Sequence, residues 1–271
     1  MLRTAVLFGL LTGILLAIGY IFAGIEGMSF FFILAFALNF FSYWYSDKIV
    51  LSMYRAKKVP VSSNPTLHKI VEKLAKEANI PKPRIYLVES SNPNAFATGR
   101  SPKHSAVAVT SGLLKILDDD EIEGVLSHEI AHIKARDTLT ATVAATIAGA
   151  IAYIAQIAWW SSLGDRKRSN AAALPLLILA PLAATLVRLA ISRSREYAAD
   201  YEGAKISKKP LSLASALEKI STEVDRKPLY GNAATSHLFI VNPFKKDAFI
   251  NLFSTHPSIE SRIAKLKGMK F

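Results

Sequence analysis

Two long uncharged stretches near the start of the chain constrain its fold more than any other feature. Thr4–Ile25 and Gly27–Ser46 contain no charged residue, and the link Ile25-Glu26-Gly27 joins them. Each has about the twenty residues that an α-helix needs to cross roughly 30 Å of hydrocarbon. The pattern predicts a tight transmembrane hairpin over residues 1–46. We expect this hairpin to be retained rather than cleaved as a signal peptide, because a second apolar stretch follows at once.

A second pair of uncharged stretches, Thr138–Gly164 and Ser169–Val187, lies in the middle of the chain. The first is rich in Ala and Thr, which favour close helix packing in lipid, and it carries a Trp pair typical of the membrane interface. The second contains two prolines, which favour a kink. We predict a second hydrophobic hairpin over residues 138–191, and about four transmembrane or membrane-embedded helices in all. The alternative is a buried hairpin of a soluble protein.

Charge favours a membrane protein with basic flanks. The chain is 51% hydrophobic, yet its formal net charge is +12. A nucleic-acid binder is not expected, because no motif of such proteins accompanies the basic residues. Arg3, the segment Lys48–Lys58 and the residues from Arg188 onward predict a cytoplasmic N-terminus and cytoplasmic polar segments at the cell membrane. The link Asp165–Arg168 opposes this arrangement with a net charge of +2, so the middle stretches either cross against the rule or dip into the bilayer and return.

The polar residues have the pattern of a folded mixed domain, divided into a first part (47–137) and a second part (192–271). Apolar residues at helical spacing predict a helix within Pro60–Asn79. Short strands are predicted at Arg84–Val88, Ala95–Gly99 and Ser105–Thr110. Further helices are predicted after Asp118 and at Ser192–Ile206, Leu211–Val224 and Pro257–Leu266. The predicted fold class is α+β, mostly α.

The sequence HEIAH, from His128 to His132, carries the clearest chemistry. Residues four apart on a helix project from one face, so both imidazoles can reach one ion. The chain has no cysteine, and two imidazoles with one carboxylate suit zinc, with a fourth position left for water. Bound zinc lowers the pKa of that water towards about 7, and Glu129 can take the proton as general base. The motif predicts a peptidase with one Zn2+ per chain.

Two imidazoles need a third protein ligand. The best candidate is Glu196 in SRSREYAADYEGA, and Asp200, one helical turn later, can orient an imidazole N–H. The alternative for this segment is a solvated helix surface of Glu and Arg. Zero or two membrane crossings between His132 and Glu196 both return the chain to the same side. His256, in STHPSIESRI, is a candidate donor to the transition-state oxyanion, although a plain role in a loop and helix cap is favoured.

These motifs, in this order, resemble the HtpX family of membrane-integral heat-shock metalloproteases. The resemblance covers nearly the whole chain, and PNAFATG at Pro93–Gly99 also belongs to it. It implies a zincin-like fold with His128, His132 and Glu196 as zinc ligands, Glu129 as the catalytic acid/base, and an active site facing the cytoplasm. It further implies that the substrates are misfolded or damaged membrane proteins. The enzyme would then act in their quality control, at the lipid bilayer. PNAFATG resembles the family's edge strand, to which an extended substrate can add by β-augmentation.

Three other functions match part of the pattern. A prenyl-protein protease shares HExxH and the distal acid, but that family usually has more membrane spans. A non-enzymatic membrane chaperone or scaffold would normally have lost Glu129 or a ligand, and all four residues are present. A transporter is disfavoured because the first three uncharged stretches contain no ionisable residue apart from tyrosines.

Overall fold

The computed structural model describes residues 2–141, 143, 193–226, 239–241 and 257–271. In chain order its elements are α1 (Leu2–Met53), β1 (Lys57–Lys58), α2 (Pro65–Glu77), β2 (Arg84–Val88), β3 (Ala95–Gly99), β4 (Ser105–Thr110), α3 (Ser111–Ile116), α4 (Asp119–Lys134), α5 (Arg193–Ser207), α6 (Pro210–Arg226) and α7 (Ile259–Lys267). The prediction of a mostly helical α+β fold is confirmed. The three predicted strands are present at their predicted bounds.

Helix α1 is broken at Ala23 and Gly24. Gly24 has φ +58° and ψ −140°, a conformation that glycine adopts without steric cost. Beyond the break the chain returns alongside itself, because Asn39 Nδ2 donates a hydrogen bond to Thr12 Oγ1 at 3.0 Å. The two halves of α1 therefore lie side by side. The second half continues to Met53, beyond the predicted end of the hairpin at residue 46.

Among the described residues, one helix, Ala23–Tyr45, is long and apolar enough to cross a membrane, with a mean hydropathy of 1.7. Many of its large apolar side chains are exposed, including Phe30, Phe32, Ile33 and Phe36, and a surface of this kind suits contact with lipid. Most of the predicted second hairpin, residues 138–191, lies outside the described residues. Its membrane crossings, and the division of the chain at residues 46, 137 and 191, stay predictions.

The sheet has the strand order β1-β2-β4-β3, with β2 and β4 parallel and the other pairs antiparallel. Strand β3 lies at one edge, as the resemblance implied. Side chains alternate between the two faces of a strand. Ala95 and Ala97 face the main core with α2, α4 and α6, whereas Phe96 packs against Val50 and Leu51 at the end of α1. The sheet thus connects the end of α1 to the main core.

Helix α4 lies at the centre of the main core. Its start is fixed by a capping box, in which the side chains of Asp118 and Glu121 each accept a hydrogen bond from the other residue's backbone N–H. Helices α5 and α6 approach α4 at two glycines. A Cβ at Gly203 would lie 2.8 Å from the backbone nitrogen of His128, and one at Gly124 would lie 2.7 Å from that of Leu213. This close packing brings α5 against the HEIAH segment.

Candidate metal centre

Helix α4 presents His128 and His132 on one face, and α5 places Glu196 opposite them. The two Nε2 atoms are 3.2 Å apart. Glu196 Oε2 lies 3.7 Å from His128 Nε2, and Glu196 Oε1 lies 3.6 Å from His132 Nε2. The structure brings together the three residues that the sequence singled out as metal ligands.

These separations match those of ligand atoms around a small ion. Bonds of about 2.0–2.1 Å in a tetrahedral arrangement place ligand atoms about 3.4 Å from one another. The carboxylate-to-imidazole distances of 3.6 and 3.7 Å are longer than ordinary hydrogen bonds. The donor set therefore suits a shared metal ion better than direct hydrogen bonding between the carboxylate and the rings.

Local charge also favours a cation. Among the described residues, four carboxylates and two guanidinium groups surround the imidazoles: Glu129, Asp137, Glu196, Asp200, Arg195 and Arg262. Carboxylates thus outnumber guanidinium groups around the two rings, which favours a bound cation. Burial alone lowers the pKa of His132, but the hydrogen bond that its ring donates to Asp137 and the charges of Glu196 and Glu129 raise it to about 9. The site thus stabilises positive charge at the imidazoles.

Each imidazole is oriented by a second carboxylate. Asp200 Oδ1 lies 2.9 Å from His128 Nδ1, and Asp137 Oδ2 lies 3.5 Å from His132 Nδ1. A carboxylate at Nδ1 fixes the ring so that Nε2 is left for a metal. The interaction of Asp200 was expected from the sequence. Asp137 was missed, although its position five residues after His132 could have indicated it.

Arg262 is the main residue that the sequence analysis missed. It lies on α7 and is fully buried. Its Nε and Nη2 donate to Asp200 Oδ2 and Oδ1 at 2.8 and 2.7 Å, and its Nη1 lies 3.8 Å from Glu196 Oε2. Burial raises the pKa of Asp200, but the charge of Arg262 outweighs this and lowers it to about 2. Arg262 belongs to the motif STHPSIESRI, whereas His256 of that motif lies outside the described residues.

Glu129 lies between the imidazoles and the edge strand. It is buried, and burial raises the pKa of its carboxyl above the ordinary value of 4.5. His128, His132 and the backbone N–H of Ala97 act in the opposite direction. A buried carboxyl with a raised pKa, next to two imidazoles that could hold a metal ion, is placed to accept and return a proton.

The backbone of β3 presents hydrogen-bonding groups beside this site. Thr110 N–H donates to Asn94 O at 2.9 Å, and hydrogen-bonded positions alternate along an antiparallel pair. The polar backbone groups of Ala95, Ala97 and Gly99 therefore point away from β4, towards the edge of the sheet, where Gly99 O accepts a hydrogen bond from Thr138 Oγ1 at 3.0 Å. This direction agrees with the hydrogen bond from the Ala97 N–H to the Glu129 carboxylate on α4.

Comparison with known proteins identifies the family. A sequence model of peptidase family M48 matches residues 62–270. The chain is 57% identical to the Protease HtpX homolog of Pyrococcus furiosus, over 98% of this chain and 94% of that protein. It is 51% identical to the Protease HtpX homolog of Persephonella marina, over 99% of this chain and 96% of that protein.

The crystal structure of S. mikatae Ste24p matches 98% of this chain with a TM-score of 0.54 at 17% identity. The chain spans 65% of the length of Ste24p, and at this identity the likeness concerns the fold alone. The HtpX relatives match nearly all of the sequence, and the family model covers the helices that carry the candidate site. The chain therefore belongs to peptidase family M48, among the HtpX proteases, and is a membrane-bound metalloprotease.

Proposed function

We propose that the protein is an endopeptidase that holds one Zn2+ per chain on His128, His132 and Glu196. The observation that carries this proposal is the mutual spacing of the three ligand atoms, at 3.2, 3.6 and 3.7 Å. Zinc is favoured over magnesium or calcium because two of the three donors are imidazole nitrogens, whereas those ions prefer oxygen ligands.

Glu129 acts as the proton carrier. Zinc at such a site supplies a water molecule of lowered pKa and polarises the substrate carbonyl. Glu129 takes the proton from the attacking water and returns it to the leaving amine. Its burial supports this role because it raises the carboxyl's affinity for a proton. The Ala97 N–H acts in the opposite direction on the pKa but holds the carboxyl in a fixed position.

An extended substrate binds along β3. The outward-facing backbone groups of Ala95 and the carbonyl of Ala97 can pair with a peptide strand, as in β-augmentation. A peptide bound there would run past Glu129, because Ala97 contacts that carboxyl. Main-chain pairing is independent of side chains, so this mode suits a protease that accepts many sequences.

Substrates are membrane proteins that are misfolded or damaged, and the enzyme serves their quality control. The end of α1 packs on the sheet that carries β3, which supports an active site held close to the bilayer. The protein crosses the cell membrane several times, with residues 1–46 and 138–191 as two hydrophobic hairpins. Residues 47–137 and 192–271 form one metalloprotease unit that faces the cytoplasm, and the packing of α5 and α6 on α4 supports this division.

Metal analysis of purified variants tests the ligand set. Glu196→Ala should lose most of the bound zinc and the chelator-sensitive digestion of casein, because two imidazoles remain without the carboxylate. Glu202→Ala is the matched control on the same helix, since Glu202 pairs only with Lys134 at 3.3 Å among the described residues. Equal zinc content in the wild type and Glu196→Ala would show that another residue is the third ligand.

Substrate choice separates the remaining candidates. The proposal predicts cleavage of casein and of an unfolded membrane protein without any lipid attached to the peptide. Cleavage restricted to a prenylated peptide would favour the prenyl-protein protease. Zinc binding without cleavage of any of the three substrates would favour a scaffold.

A further inference from the structure

A cationic groove lies where α1 leaves its apolar segment. Its volume is about 700 Å³, and it is lined by aromatic residues of α1 and by basic residues of α1, β2 and the β3–β4 turn: Phe40, Trp44, Tyr45, Asp47, Lys48, Arg84, Arg100, Lys103 and His104. The apolar helix of α1 ends at Tyr45, which is itself part of the lining. The groove therefore begins at the depth where the apolar segment stops.

Charge in the groove is strongly unbalanced. Four cationic side chains face one carboxylate, that of Asp47, which binds Arg84 at 2.6 Å. In the described part of the chain, no carboxylate forms an ion pair with Lys48, Arg100 or Lys103. Three positive charges are thus available to an anion.

Aromatic rings hold two of these cations in place. The Arg100 guanidinium carbon lies 4.5 Å from the centre of the Trp44 ring, and Lys48 Nζ lies 5.2 Å from that of Tyr45. Arg100 Nη1 also donates to Trp44 O at 3.4 Å. Stacking on rings orders cationic side chains and so reduces the entropy lost when they bind a phosphate. Trp and Tyr are typical of the headgroup level of a bilayer.

We infer that this groove binds the headgroup of an anionic phospholipid from the surrounding bilayer. The phosphate of the headgroup contacts Arg100, Lys103 and Lys48, and the lipid chains extend past Phe40 towards the apolar part of α1. Basic pockets beside membrane helices have the chemistry that such headgroups require. A lipid is favoured over an acidic protein segment because the groove adjoins the apolar surface of α1 and carries aromatic residues at its margin.

The test uses the full-length protein in detergent, with native mass spectrometry to measure the Kd of added phosphatidylglycerol and phosphatidylcholine. The double variant Arg100→Gln, Lys103→Gln removes two of the three cations assigned to the headgroup. Each cation near an anionic lipid contributes to the binding free energy, so the loss of both should weaken phosphatidylglycerol binding roughly 30-fold. Binding of phosphatidylcholine should stay weak in both proteins. The control is Lys115→Gln, Lys205→Gln, which makes the same charge change at exposed residues outside the groove.

Three outcomes would overturn the inference. The first is an unchanged affinity for phosphatidylglycerol in the double variant, and the second is an equal loss in the control. The third is displacement of the lipid by inorganic phosphate at the same concentration, which would mean that a free phosphate site is present instead. If the double variant does not fold, the single variant Lys103→Gln replaces it, because Lys103 is exposed and its substitution should leave the fold intact. It should weaken binding about fivefold, and unchanged binding would again contradict the lipid site.

Discussion

Arg262 binds Asp200 through two hydrogen bonds, with Nε and Nη2 at 2.8 and 2.7 Å from the two carboxylate oxygens. Asp200 in turn contacts His128 Nδ1 at 2.9 Å. A residue near the C-terminal end of the sequence thus fixes the orientation of an imidazole on α4. The geometry connects α7, α5 and α4 at one buried point.

Arg262→Met should therefore destabilise the protein and lower its metal content. Removing one partner of a buried ion pair leaves an uncompensated charge and costs about 3–5 kcal/mol. Thermal unfolding and metal analysis of the same samples measure both effects. Lys134→Met is the control, because the Lys134–Glu202 pair is exposed and such pairs contribute about 1 kcal/mol at most. Wild-type stability in Arg262→Met would contradict this role.

Gly203→Ala should separate α5 from α4. The added Cβ would lie 2.8 Å from the backbone nitrogen of His128 and 3.0 Å from its Cα, so the helices have to move apart and Glu196 moves with α5. Overpacking of this kind costs about 1–3 kcal/mol, and we expect weaker zinc binding as well. Gly268→Ala serves as control, since its Cβ would approach no atom closer than 3.5 Å. The prediction fails if the two variants bind zinc equally well.

Stability should depend on pH through Glu123, which joins α4 to Lys73 and Lys209 at 2.6 and 2.7 Å. Burial raises the pKa of Glu123, but the two lysines outweigh it and hold the pKa below the ordinary value of 4.5. A carboxyl whose pKa is lower in the folded protein than in the unfolded chain stabilises the fold when the pH is above its unfolded-state pKa. This contribution is lost as the pH falls through the folded-state pKa.

Glu123→Gln should accordingly lower the melting temperature near pH 7. The difference from the wild type should shrink as the pH falls below 4.5, the ordinary pKa of this carboxyl. Glu218→Gln, which removes an exposed pair with Lys267, should show little difference at any pH. A Glu123→Gln difference that is constant between neutral and acid pH would contradict this account.

The sequence predicted the helices and strands well, because their signals lie within a few neighbouring residues. The spacing of His128 and His132 on one helix, and the bounds of β2, β3 and β4, follow from periodicity within a few residues. The hairpin turn was placed at Glu26 from its charge, whereas the backbone breaks at Gly24, where a positive φ is required. Strand β1 has two residues and is too short to give a pattern.

The partners of the candidate metal ligands were harder to predict. Asp137 and Arg262 reach the imidazoles only through tertiary packing, and no spacing in the sequence relates Arg262 to Asp200. Arginine is seldom fully buried. The sequence therefore gave no reason to expect Arg262 in the core. Glu196, which the structure places beside the two imidazoles, lies one helical turn before Asp200, and this spacing is again a local pattern.

Topology can be tested with single cysteines, because the native chain has none. A membrane-impermeant thiol reagent added to intact cells should miss cysteines at Ser62 and Ser221, since both polar segments are proposed to be cytoplasmic. Labelling at Ser169 would show that the second hydrophobic pair crosses fully, and protection there would show that it dips into the bilayer and returns. External labelling at Ser62 or Ser221 would contradict the cytoplasmic active site.

The central claim is that Glu129 carries the proton at a zinc site formed by its neighbours. Glu129→Gln keeps the size of the side chain and leaves all three ligands in place. The decisive measurement is zinc content together with the rate of casein digestion, on one preparation of purified Glu129→Gln beside the wild type. The account predicts full zinc occupancy with proteolysis abolished, at least about 10²-fold below the wild type. A rate within about tenfold of the wild type at equal zinc content would contradict it.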